Sequence, residues 1–119
     1  MEPIFDRNGR PVGWLTNDVV HEHSGRARAF VDNGAVVSYR GQHLGWLDSG
    51  YFRDRAGDAV AFLRDASNGP LPPMPSVPPA PPVPTAHPVS PVPAVTPPPP
   101  APTLNWSNLE WEHYLGAAQ

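Results

Sequence analysis

The side chains best suited to chemistry lie in the tripeptide His21-Glu22-His23. Residues i and i+2 of a β-strand point to the same face, so two imidazoles at this spacing could share a metal ion, with Glu22 or His43 near by. Polar residues in front of a turn are also commonly solvated, and these histidines would then be surface or pH-sensitive groups. The tripeptide therefore leaves a metal site and a surface role as alternatives.

Arg28 is the second candidate, because it interrupts a column of apolar residues that recurs at Val12, Leu44 and Val60. A guanidinium among apolar side chains needs a carboxylate partner or an anionic ligand. Glu22 or an aspartate could supply the partner, or the side chain could extend to the rim of the domain. A small-ligand, anion or metal site would use the following residues: His21, His23, Arg28 and His43.

Other catalytic chemistries find no support in the sequence. There is no cysteine, so the chain has neither a thiolate nucleophile nor a disulfide. It has no Gly-x-Ser-x-Gly elbow, no P-loop and no Gly-x-Gly-x-x-Gly phosphate cradle. The carboxylates are scattered over turns, where local backbone hydrogen bonding accounts for them. We expect a protein that is not an enzyme and that carries no cofactor and no metal.

Charge and hydropathy narrow the classes of partner. The 119 residues carry a net charge of -3, and arginines and carboxylates nearly balance over residues 1–69. Such a balance gives no broad basic surface for phosphate backbones. No apolar stretch approaches the roughly 20 residues that span a bilayer, and no signal peptide is recognisable. We expect a cytoplasmic protein that binds neither nucleic acid nor membrane.

A period of 16 residues organises the first half of the chain into four units, which begin at Ile4, Val20, Val36 and Phe52. Two residues into each unit comes an acidic residue or serine, and three residues further a glycine, at Asp6/Gly9, Glu22/Gly25, Ser38/Gly41 and Asp54/Gly57. This spacing is typical of a type I turn with glycine at its fourth position. Each unit is therefore predicted to be a β-hairpin with a glycine bulge.

The second strand of each unit pairs a small residue with an aromatic one, at Gly13-Trp14, Ala29-Phe30, Gly45-Trp46 and Ala61-Phe62. Small residues in register predict close packing of four strands, and the aromatic rings are predicted to form one hydrophobic layer on the opposite side. The joints Asn17-Asp18, Asn33-Gly34 and Ser49-Gly50 are turn signals. We predict an all-β fold of eight strands closed around a pseudo-four-fold axis, the alternative being a linear sheet with an exposed edge.

The segment Ile4–Leu15, with its echo His43-Leu44-Gly45-Trp46-Leu47, resembles the bacterial four-fold beta-flower domain. The resemblance covers about residues 2–66. It implies the ring of four hairpins, and it brings no catalytic or ligand-binding residues with it.

Proline composition divides the chain into residues 1–69, 70–103 and 104–119, since all of the 19 prolines except Pro3 and Pro11 lie between Pro70 and Pro102. Proline fixes φ and lacks a backbone donor, so residues 70–103 are predicted to be polyproline II or disordered. A stiff spacer is one interpretation of this arm, and a ligand for a proline-reading domain is the other.

The last 16 residues are rich in large aromatic side chains. Ser107 and Glu110 fit a capping box, and Trp106 and Trp111 fit a hydrophobic staple, so a helix of about eight residues ending near Gly116 is predicted. The anchors of an interaction would be Trp106, Leu109, Trp111 and Tyr114. They would bind a partner or a neighbouring subunit, or fold back onto their own domain, so we predict a non-enzymatic protein-interaction module with a proline-rich tether.

Overall fold

A computed structural model describes residues 2–78, 80–81 and 101–116. Its strands are β1 (Glu2–Asp6), β2 (Pro11–Thr16), β3 (Val19–His21), β4 (Ala27–Asp32), β5 (Ala35–Ser38), β6 (His43–Asp48), β7 (Tyr51–Arg53) and β8 (Ala59–Phe62). Each strand pairs antiparallel with the next, and β8 pairs with β1 to close a barrel. The predicted all-β ring of four hairpins is confirmed, and the linear sheet is excluded.

The four glycine turns are built alike, as their common spacing predicted. In the first, Asp6 N donates to Arg10 O and Gly9 N donates to Asp6 O, both at 2.9 Å. The Asp6 carboxylate also accepts from the backbone N–H of Asn8 and of Arg10. Gly9 has a φ of 80°, which a residue with a Cβ adopts only with strain. Equivalent backbone bonds begin at Glu22, Ser38 and Asp54.

Two-residue turns join one hairpin to the next. Both residues of Asn33-Gly34 have positive φ, as do both residues of Ser49-Gly50, which is the geometry of a type I′ turn. Leu47 N donates to Gly34 O at 2.7 Å, so the Asn33-Gly34 turn, which joins β4 to β5, is also bonded to β6. The short joints therefore fix the spacing between hairpins as well as their direction.

In the barrel interior, large apolar residues of one strand are paired with small residues of the neighbouring strand. Ile4 pairs with Gly13 and Val36 with Gly45, and both large residues are fully buried. A Cβ at Gly45 would lie 1.9 Å from the backbone oxygen of Arg53, which is far inside contact distance. The close packing predicted for this column of small residues is confirmed at Gly45.

The prediction of a single aromatic layer was wrong. Phe30 and Trp46 belong to one cluster of side chains, whereas Phe62 packs with Phe5 and Tyr51 in another. Side chains alternate between the two faces of a strand, and closure of the sheet places the small-residue face inside. The aromatic face is then the convex one, so the rings of neighbouring hairpins diverge instead of meeting.

The described residues after β8 are 63–78, 80–81 and 101–116. Tyr51 donates its hydroxyl hydrogen to Pro70 O, and Ser76 N donates to Gly9 O, so the chain after β8 lies along the barrel surface. Most of the predicted polyproline II arm, residues 82–100, lies outside the described residues. A single helix, α1 (Trp111–Gly116), ends the described chain. No helix in the described parts is long and apolar enough to cross a membrane.

Candidate interaction site at the barrel mouth

One end of the barrel, which we call the mouth, is bordered by the column of residues that contains Arg28. Its other members, Val12, Leu44 and Val60, pack with the interior cluster. They lie beside the β-bulges that follow the glycine turns, where the register of strand pairing shifts. The bulge turns these positions toward the interior, so the mouth has an apolar border with one cationic side chain.

Helix α1 closes this mouth. Three of its side chains, Trp111, Tyr114 and Leu115, are at most 5% exposed and belong to the same cluster as the barrel interior. The Trp111 ring meets the Phe52 ring edge-on, with 5.3 Å between centroids. Aromatic rings prefer this geometry to a face-to-face sandwich. The helix therefore extends the barrel core outward instead of resting on a polar surface.

Tyr114 adds a directional bond to this packing. Its hydroxyl donates to Arg53 O at 3.0 Å. Burial raises the pKa of Tyr114 far above its usual value, and the negative charge of Asp54 raises it further. The phenol is therefore a neutral donor at every physiological pH, and its bond fixes how deeply α1 sits.

Charged side chains hold the edge of α1. Arg28 bonds Glu22 and Glu112, in each case with 3.0 Å between nitrogen and oxygen. The predicted partnership of Arg28 with Glu22 is confirmed, and the second carboxylate belongs to α1. A hydrogen bond from Ser24, and then Arg28, holds the pKa of Glu22 below its ordinary value against the opposing effect of desolvation. Arg28 is therefore occupied by carboxylates of the chain itself.

The residues before α1 bind β8 through their backbone. Ala59 N donates to Asn105 O at 3.0 Å, and Ser107 N donates to Ala59 O at 2.7 Å, which forms a parallel bridge between Ala59 and Trp106. The Ser107 hydroxyl donates to Asp54 at 2.6 Å. Backbone pairing to a strand, combined with side-chain anchors, is how many β-domains recognise an extended peptide.

These contacts correct the predicted helix start. Leu109 N donates to the Ser107 hydroxyl, but Ser107 N bonds Ala59 instead of Glu110. The helix begins at Trp111, and the Glu110 carboxylate pairs with Arg7 at 3.0 Å. The capping box was wrong because both of its side chains have barrel partners that the local sequence does not reveal.

The hydrophobic staple was also wrong. The Trp106 ring lies 6.1 Å from that of Tyr51 and 6.0 Å from that of Phe62, on the outer face of the barrel. Trp111 instead packs in the mouth with the interior cluster, so the two indoles belong to different clusters and do not contact each other as a staple. Leu109 is half-buried against the interior cluster. All four predicted anchors, Trp106, Leu109, Trp111 and Tyr114, contact their own barrel.

A boundary was predicted between residues 103 and 104, but Thr103 contacts the barrel as the residues after it do. Thr103 donates its hydroxyl hydrogen to Asp58 at 2.6 Å, and its carbonyl accepts from Arg53. Residues 103–116 therefore form one continuous docked segment, which we call the C-terminal segment.

Comparison with known families agrees with this arrangement. A family model described as the 4-fold beta flower protein matches residues 2–115 of the chain. The chain belongs to the 4-fold beta flower family. No curated protein and no solved structure matches the chain. The matched range includes all but the last residue of the C-terminal segment as well as the four hairpins, and the family description names a fold and no activity.

The histidines of the beta-flower chain do not have the strand geometry predicted for a metal site. Strand β3 ends at His21, so His23 lies in the following turn and the i, i+2 geometry does not hold. His21 is buried with Nδ1 3.0 Å from Gly25 O, whereas His23 bonds Pro11 O through Nε2. Among the described residues, no three His, Asp or Glu side chains lie close enough together to hold a metal ion.

His43 lies apart from the other members of the predicted set. It begins β6 and packs edge-on against Trp46, with 4.6 Å between ring centroids. Desolvation lowers the pKa of His43, against a backbone hydrogen bond at Gly45. The structure thus distributes His21, His23, Arg28 and His43 over separate contacts.

Sequence reasoning missed three residues that hold the C-terminal segment. Arg7 donates to Ser107 O at 2.6 Å, Asp54 accepts from Ser107, and Arg53 donates to Thr103 O. Arg7 and Arg55 occupy the same position of their repeat units. Arg55 bonds His43 O within the barrel, whereas Arg7 bonds Ser107 O of the C-terminal segment. Only the position of the segment explains that difference.

Proposed function

We propose that this beta-flower chain is a non-enzymatic protein-interaction module in which the barrel mouth receives an aromatic peptide. The C-terminal segment fills the mouth in cis, and the proline-rich arm lets the same segment reach a neighbouring subunit or a partner with an equivalent mouth. The observation that carries the proposal is the burial of Tyr114 in the mouth with its hydroxyl on Arg53 O.

The contacts are those of a peptide and its receptor. Aromatic anchors fill an apolar opening, backbone bonds pair the segment with β8, and two arginines meet acidic residues at the border. Large aromatic residues dominate the free energy of binding at most interfaces. A six-residue helix does not persist alone in water, so α1 folds as it docks.

The length of the arm supports exchange. A chain as long as the one that separates Pro81 from Ala101 spans at most about 70 Å when extended. The largest extent of the molecule is 35 Å. The segment can therefore leave its own mouth and enter another without unfolding the barrel. A tether of this length keeps the segment at an effective concentration of about 1 mM near its own mouth, so exchange needs a weakened cis contact or a high protein concentration.

The test uses the full chain with Tyr114→Ala and a fluorescent synthetic peptide of residues 101–116. Weakening the cis segment empties the mouth more often, so we expect the variant to bind the peptide at least about tenfold more tightly than the wild type does. His113→Ala is the matched control, because His113 is exposed on the same helix.

Two results together would overturn the proposal. The first is a folded Tyr114→Ala variant that binds no peptide. The second is a deletion of residues 104–119 that changes neither the oligomeric state nor the co-purifying proteins. The control variant and the wild type should give the same weak binding in fluorescence anisotropy.

A further inference from the structure

A second concave site lies beside β6 and β7, apart from the mouth. It is a groove with a volume of about 350 Å³, a size at the lower end of the range for small-molecule pockets. The residues that line it include Asn33, Trp46, Leu47, Asp48, Arg53 and Pro102. The proposed peptide interaction uses the backbone oxygen of Arg53 and the bond from its guanidinium to Thr103 O, and it leaves Asn33, Trp46 and Asp48 without a role.

Arg53 is an unusual residue to line such a groove, because it is charged and only 2% exposed. Its guanidinium donates to three backbone oxygens, those of Gly57, Thr103 and Asn68. Its Nε is buried and has no hydrogen-bond partner in the described chain. No ion pair within the described residues includes Arg53, although Arg28 has two carboxylate partners.

A buried guanidinium that meets only carbonyl oxygens keeps its full positive charge in a poorly solvated place. The face of the Tyr51 ring, 5.4 Å away, offsets part of that charge. An anion in the groove would supply both the missing counter-charge and an acceptor for Nε. Charge-assisted bonds of this kind are about twice as strong as neutral ones.

The other walls restrict the kind of anion. Trp46, the strand partner of Arg53, offers apolar surface for an aromatic or aliphatic body. Asp48 is exposed at the groove, and its negative charge disfavours anions with more than one charge. We propose that the groove binds a small monocarboxylate with an aromatic or apolar body, whose carboxylate accepts from Arg53 and whose body packs on Trp46.

Benzoate and benzamide test the proposal, because they share a shape and differ in charge. Each is titrated into the full-length chain while ¹H–¹⁵N spectra record the indole N–H of Trp46, assigned with Trp46→Phe. We expect benzoate to shift this signal with a dissociation constant of about 1 mM, and benzamide to bind at least about tenfold more weakly. Equal affinities, or no benzoate binding at about 10 mM, would overturn the proposal.

Asp48→Asn sharpens the test without disturbing Arg53. Removal of the negative charge at the groove should tighten benzoate binding about two- to threefold. Asp18→Asn makes the same charge change in a turn that does not line the groove, and it should leave the affinity unchanged. An Asp48→Asn affinity that equals or falls below that of Asp18→Asn would contradict the proposal. Arg53→Met should abolish binding, but it also removes bonds to Asn68 and Thr103, so the Asp48 pair decides the outcome.

Discussion

The pairings of β2 with β3 and of β8 with β1 occupy equivalent places in the ring, yet they are completed differently. At the first, His23 of the following turn bonds Pro11 O. At the second, the equivalent oxygen, that of Ala59, accepts from the backbone of Ser107, and Arg7 bonds the C-terminal segment instead. The same backbone position is thus satisfied by a side chain in one place and by a separate stretch of chain in the other.

The β8–β1 pairing also has less to hold it together. Two residue pairs join these strands, whereas four join β4 to β5. The C-terminal segment adds backbone bonds to Ala59 and a side-chain bond to Asp54 at this place. The comparison teaches that a near-perfect repeat can accommodate a separate stretch of its own chain where one of its equivalent joints has fewer residue pairs.

The largest change should come from emptying the mouth. Tyr114→Ala removes a buried ring and its bond to Arg53 O, so we expect a loss of about 3–5 kcal/mol in the free energy of unfolding. Tyr114→Phe removes the bond alone and should cost about 1 kcal/mol. Urea denaturation measures both. Equal losses for the two variants would show that the ring contributes nothing to the closed mouth.

Gly45→Ala should have the next largest effect, because the new Cβ would meet a backbone oxygen that cannot move aside. We expect a loss of about 3 kcal/mol. Gly13→Ala is the matched variant in the first hairpin, where the corresponding contact would be 2.6 Å instead of 1.9 Å. Its melting temperature should fall less than that of Gly45→Ala, and the reverse order would contradict the packing described for the interior.

Arginine substitutions compare the β8–β1 pairing with a third equivalent place, the pairing of β6 with β7, where Arg55 bonds His43 O as His23 bonds Pro11 O. Arg7→Ala removes bonds to Ser107 O and Glu110, so the C-terminal segment should loosen and stability should fall by about 1–2 kcal/mol. Arg55→Ala removes a bond to His43 O at an exposed site and should cost less than about 1 kcal/mol. Hydrogen exchange at Ser107 N should quicken in the first variant only. Faster exchange in both would show that the two places are not distinct.

The smallest effect concerns acid. A bond from Ser24, and then Arg28, keeps the pKa of Glu22 in the folded chain below its ordinary value near 4.5. A lowered pKa contributes stability that is present above the ordinary value and is lost as the pH falls through the folded value. Glu22→Gln should therefore lower the melting temperature at pH 7, and the difference from wild type should shrink below pH 4.5. Glu2→Gln, which removes the same charge at an exposed position, is the control for both measurements.

The sequence predicts the ring of hairpins well because the residue patterns that specify it lie within a few positions of one another. The Asp6-to-Gly9 spacing specifies a turn within four residues, and the small residue at position 45 directly reports the close approach of the next strand. Each of these signals occurs four times or nearly so, which makes the architecture readable without knowledge of distant contacts.

The C-terminal segment was harder to predict because its partners are distant in the chain. The bond from Arg7 to Ser107 spans 100 positions, and that from Tyr114 to Arg53 spans 61. Ser107 looks like a helix cap until Asp54 and Ala59 are placed beside it. The shared strand face predicted for His21 and His23 was wrong for a related reason, since the strand ends between them.

The meeting of the first strand with the last has a consequence for how the molecule is made. Hairpins one to three can form while later residues are still being synthesised, since each needs only its own turn and its neighbour. The ring cannot shut until β8 has left the ribosome, and the segment that reinforces the junction arrives some 40 residues later still. Until β8 emerges, the nascent chain has an open sheet with two unprotected strand edges, and a sister chain emerging beside it would offer matching edges to both.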